Sequence, residues 1–153
     1  MISLIISLSE YIFNLGFELE VLLLTSKVYP DYFPLNCPPE DATPKALKVY
    51  RLIMMENEIT DKDLESYYEL GKCCNLSNPQ CYGVSVNTNF LELLVLWRAN
   101  PALKNEFGNI SGCYTTLESG VIKHTPNRNQ KNHHTWWLVK GEKPVKLLSF
   151  EKW

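Results

Sequence analysis

The segment His133-His134-Thr135-Trp136-Trp137 holds two of the chain's three histidines, and the third, His124, lies nine residues before it. Imidazole is the side chain whose ordinary pKa lies nearest neutrality, so it can take up, release or share a proton at working pH. On a strand, alternation puts His133, Thr135 and Trp137 on one face and His134 with Trp136 on the other. One imidazole then faces a cleft and one the core side, and a neighbouring Trp offers a stacking wall for a planar ring. The plainer alternative is a strand whose tryptophans are core and whose histidines are satisfied or solvated. Clustering of all three histidines is what keeps the chemical reading open.

Two further features could join that segment. Tyr50-Arg51 pairs an aromatic with a guanidinium, a group suited to bidentate binding of phosphate or carboxylate, although a lone Arg is more often a surface residue. Gly83-Val84-Ser85-Val86-Asn87-Thr88 ends a strand in hydroxyls and amides, which either cap the following helix or hold a ribose and phosphate. Thr88 fits the cap, whereas Ser85 has no capping role. The candidate catalytic residues are therefore His133, His134 and Ser85, and the candidate ligand-binding residues are Tyr50, Arg51, Thr135, Trp137 and His124. A nucleotide-like, phosphate-bearing small molecule such as an NAD-like cofactor is the expected ligand. A second possibility is metal-independent RNA cleavage, with His124 and His133 or His134 as acid and base and Lys123, Arg128 or Lys131 as the cation. A third is a protein-interaction module built on four Trp and eight Tyr. Convergence of Arg51, Ser85 and the histidines in one concavity would favour a small-molecule site. No metal is expected, because Cys73-Cys74 and Cys81, with six intervening residues, match no standard zinc spacing. The chain also lacks a Gly-rich phosphate loop, His-Glu-x-x-His and Gly-x-Ser-x-Gly.

Cys37-Pro38-Pro39, Tyr50-Arg51, Gly83-Val84-Ser85-Val86 and His133-His134-Thr135-Trp136-Trp137 resemble, in this order, an uncharacterised family of small bacterial proteins, over the chain from about Pro34 onward. That resemblance implies a compact domain and names no reaction. A fainter one is to the ADP-ribosyltransferase fold. It implies Arg51 on the nicotinamide-side phosphate and Ser85 beside the ribose. The late strand that carries the acid in that fold carries His133 or His134 here. Some phosphotransferase relatives of the fold use Arg and His.

The elements that must position these residues follow from composition and pattern. The 153 residues are 45% hydrophobic and 21% charged, with a formal net charge of −2. A chain of this length buries about 70% of its unfolded surface, enough for one core. The near-neutral charge argues against a large nucleic-acid partner or an anionic membrane surface. An odd count of five cysteines reads as reduced thiols in a cytoplasmic protein. The apolar opening stretch carries Glu10, Glu18 and Glu20, so it does not span a membrane. Its spacing predicts an amphipathic helix over 1–28, packed on a single α+β domain over 29–153 or presented to a protein partner. Pro-rich residues 29–39 form a surface strap. Strands are predicted over 48–53, 82–86, 109–116, 120–123 and 135–139, and helices over 60–70, closed by Gly71, and over 90–99. The expected fold is α+β, a small and mostly antiparallel sheet with two to four helices.

Overall fold

The computed structural model describes residues 27–54 and 57–151. Six segments in it are extended: β1 (Lys48–Ile53), β2 (Val84–Asn87), β3 (Asn109–Tyr114), β4 (Gly120–His124), β5 (His133–Leu138) and β6 (Ser149–Phe150). They form one antiparallel sheet in the order β4-β5-β2-β1-β3-β6. Two helices follow β2. The first, α1 (Phe90–Ala99), starts where the Asn89 side chain accepts the Glu92 N–H. The second, α2 (Pro101–Glu106), starts where the Asn100 side chain accepts the Ala102 and Leu103 N–H groups. Pro101 does two jobs, following the end of the first helix and opening the second. It sits at the first position of the second, where its missing N–H costs nothing. The domain is thus α+β with a small antiparallel sheet, as expected.

Strand alternation divides the core. Val49, Val84, Val86, Cys113, Ile122, Trp136 and Leu138 face one side, where Leu64 joins them. Tyr50, Leu52 and Ile110 face the other side, beneath Leu93, Leu94 and Leu96 of α1. Trp137 and Val121 lie on that second side too, but there the cover is Cys37, Ala42, Cys81 and Tyr82. The Pro-rich strap therefore contributes Cys37 to the core, and just beyond it Thr43 bridges to Ile122 at the β4 edge.

Three expectations are corrected or left aside. The capping pair Thr60 and Asp63 closes only one 3-10 turn, Asp61–Leu64, and no helix runs to residue 70. In an α-helix the carbonyls of Asp63 and Glu65 would accept from residues four further on. Here both accept from the Arg51 guanidinium, and the Asp63 carboxylate takes the Met54 N–H at 2.8 Å, so the turn is tied to β1 and does not propagate. The reading of all five cysteines as thiols also fails. Residues 75–81 turn back on themselves through Asn78 N–H to Asn75 O and Cys81 N–H to Asn78 O. Cys73 and Cys81 are thereby brought to a Cα separation of 5.6 Å and joined as a disulfide, while Cys37, Cys74 and Cys113 are free. The expected N-terminal helix over 1–28 lies, but for residues 27 and 28, outside the described residues, and those two are not helical. Among the described residues no helix is long and apolar enough to cross a membrane.

The sheet has one weak line. β1 pairs with β3 along its whole length, from Lys48 with Tyr114 to Ile53 with Asn109, but with β2 only at Tyr50 and Asn87. Beyond that pair the two strands part, and the Arg51 side chain bridges the gap.

Candidate active site

Register carries Ser85 to the neighbouring strand's chemistry. β2 and β5 pair Val84 with Trp136, Ser85 with Thr135, Val86 with His134 and Asn87 with His133. Ser85, His133 and Thr135 therefore share one face, and His134 lies on the other. Ser85 Oγ is 2.6 Å from His133 Nε2. On the far side of the ring, His133 Nδ1 is 2.8 Å from the Thr125 carbonyl oxygen. A carbonyl only accepts, so Nδ1 carries the proton and Nε2 presents its lone pair to the Ser85 hydroxyl, which donates to it. Thr125 Oγ1 adds a contact of 2.9 Å to Nδ1 and one of 2.8 Å to Thr135 Oγ1. A serine hydroxyl, a neutral imidazole and a fixed acceptor behind it form the arrangement that activates an oxygen nucleophile.

Burial favours the neutral ring. It holds the His133 pKa below the ordinary imidazole value, with His134 and His124 acting in the same sense and the Thr125 carbonyl opposing them. The ring is consequently uncharged at neutral pH, with the Nε2 lone pair toward Ser85.

In front of Ser85 lies a cavity of about 100 Å³. Tyr50 and Leu52 wall it from β1, Leu93 and Leu96 from α1, and Gln130, Glu65 and Glu106 supply polar edges. Asn87 Nδ2 donates to Gln130 Oε1 at 3.3 Å and to Glu92 Oε2 at 2.7 Å. Glu92 in turn accepts the Lys131 N–H at 2.7 Å and the Asn132 N–H at 3.0 Å, pinning the loop that delivers Gln130 and His133. Burial raises the Glu92 pKa, but these hydrogen bonds outweigh it and leave the carboxyl below its ordinary value.

Arg51 lines the same cavity, although its donors are largely spent on the protein. Nε donates to the Asp63 carbonyl, Nη1 to the Ser85 carbonyl at 2.6 Å and Nη2 to the Glu65 carbonyl at 3.0 Å, which uses three of its five N–H groups. Burial pulls its pKa down to about 10, so it stays cationic at neutral pH. Its clearest effect is on position, because it holds the Ser85 peptide from the side where β1 has moved away.

The remaining candidates separate. Tyr50 meets Phe90 edge to face, with centroids 5.5 Å apart, and lines the cavity. Trp137 is fully buried, and its indole N–H donates to the Pro79 carbonyl at 2.8 Å, which places the ring in the core. His134 and His124 lie against each other on the opposite face, with centroids 4.9 Å apart. Thr125 and Gln130 were not among the candidates. Thr125 acts through a main-chain oxygen, which residue type does not advertise. Among the described residues no group of three or more His, Cys, Asp or Glu side chains is placed to hold a metal ion. Comparison with family models, with curated proteins and with solved structures yields no match to this chain.

Proposed function

We propose that the chain is a small-molecule hydrolase or transferase in which Ser85 is the nucleophile and His133 its general base. The observation that carries this reading is the 2.6 Å contact between Ser85 Oγ and His133 Nε2, with His133 Nδ1 held 2.8 Å from the Thr125 carbonyl. In the proposed step the Ser85 proton passes to Nε2 as Oγ bonds to an electrophilic carbonyl or phosphoryl centre. The imidazolium then returns that proton to the leaving group, and water repeats the sequence to release the product. Gln130 and Arg51, which line the cavity together with Ser85, carry the N–H groups available to the developing negative charge. A cavity of this size suits a compact acyl or phosphoryl group, with any nucleotide portion lying outside it. This keeps the transfer chemistry expected from the sequence, with Ser85 and His133 of the three candidate catalytic residues at its centre. In a cytoplasmic setting the Cys73–Cys81 bond would be a transient one.

A fluorophosphonate probe tests the proposal, read by intact mass and peptide mapping and followed by a panel of small carboxylic and phosphoric esters. Labelling at Ser85 is expected, with complete loss in Ser85→Ala and slowing by on the order of 10²–10⁴-fold in His133→Gln. Absence of labelling, or labelling that survives Ser85→Ala in folded protein, overturns the reading.

A further inference from the structure

We infer that His124 and His134 form a two-imidazole site for a divalent transition ion, on the face of the sheet opposite Ser85. The two residues are register partners on β4 and β5, so their side chains leave the sheet side by side. Their ring centroids are 4.9 Å apart with an interplanar angle of 42°. Each ring has one nitrogen fixed by a main-chain carbonyl: His134 Nδ1 lies 2.9 Å from Asn132 O, and His124 Nε2 lies 2.7 Å from Lys131 O. Both of those nitrogens must carry hydrogen, because the carbonyls only accept. The lone pairs therefore reside on His134 Nε2 and His124 Nδ1, and neither atom has a hydrogen-bond partner among the described residues.

A ligating histidine ordinarily has this form, with one nitrogen free for the metal and the other donating to a carbonyl or carboxylate that sets the tautomer and orients the ring. Metal binding also requires the neutral ring. Asp41, a carboxylate on the segment bridged to β4, is engaged by the Lys123 ammonium at 2.6 Å. Two imidazoles without a carboxylate or thiolate suit Cu²⁺, Ni²⁺ or Zn²⁺ rather than Mg²⁺ or Ca²⁺, and they leave further coordination positions to water or an incoming ligand.

The test uses the full chain and the metal ions alone. Calorimetry with Cu²⁺, Ni²⁺ and Zn²⁺ on wild type, His124→Gln and His134→Gln should show binding strongest for Cu²⁺. Loss of either imidazole should weaken it by about 10²-fold, since the chelate is then broken. A measurement on the unmutated chain guards against misfolded variants. Substoichiometric Cu²⁺ should broaden the imidazole proton NMR signals of His124 and His134 first and most strongly, with those of His133, on the other face of the sheet, less affected. Absent binding, affinity that survives both substitutions, affinity lost with only one of them, or broadening centred on His133 would each overturn the inference. None of these outcomes depends on Ser85 reactivity.

Discussion

In the proposed mechanism His133 is the base, so protonation would switch it off. Its pKa lies below 6.5, so the rate of probe labelling or ester turnover should rise with pH on an acid limb centred under 6.5 and be flat from neutrality upward. A profile still climbing at pH 8 would assign the base elsewhere. A second residue-scale prediction concerns Gly83, just before β2. A Cβ there would lie 2.3 Å from Thr135 Cγ2 and 3.1 Å from Trp137 Nε1. Gly83→Ala must displace the strand that carries the Thr135–Thr125–His133 chain. Chemical denaturation should show a loss of about 1–3 kcal/mol, and labelling at Ser85 should slow in parallel. Unchanged stability would mean that the two strands have room which the geometry denies them.

At the scale of elements, α1 does more than cover the sheet. Its first turn places Glu92 where it gathers the Lys131 and Asn132 amides and the Asn87 side chain, so one carboxylate joins helix, β2 and the loop before β5. Glu92→Ala should cost about 1 kcal/mol and speed hydrogen exchange at the Lys131 and Asn132 amides; exchange left slow would show that the loop is held by its own turns. Much of this layout was legible. β1, α1 and the alternation of His133 and His134 follow from local period, which neighbouring residues decide among themselves. The predicted 60–70 helix failed because Arg51, on a distant strand, takes the carbonyls that a helix needs. The Ser85–His133 contact was likewise hidden: both residues were candidates, but their meeting depends on β2 lying beside β5 across 48 residues of sequence.

For the whole molecule, pH and redox state should both tune stability. His133 and His134 each bind a proton less readily folded than unfolded. The unfolded chain therefore takes up more protons as pH falls through about 6.5. This contribution is complete above that pH and shrinks below it as pH drops toward the folded-state values. Melting temperature should decline between pH 7 and 5 in wild type and decline less in a His134→Gln variant. Reduction of Cys73–Cys81 frees a short loop, for which the chain-entropy estimate is roughly 2–3 kcal/mol, so a reductant should lower the melting temperature measurably. The pairing escaped the sequence reading because an odd cysteine count says nothing about which two residues a turn brings together.

The single Tyr50–Asn87 pairing between β1 and β2 gives the sheet the mechanics of a jaw. Ser85 and His133 belong together to the β4-β5-β2 half, whereas Tyr50 and Leu52 ride on the β1-β3-β6 half. Parting the two halves would widen the mouth of the cavity without lengthening the contact between Ser85 and His133. Arg51 is the latch, so Arg51→Met should raise the turnover of larger esters relative to small ones while slowing labelling at Ser85 overall, because the same side chain holds the Ser85 peptide.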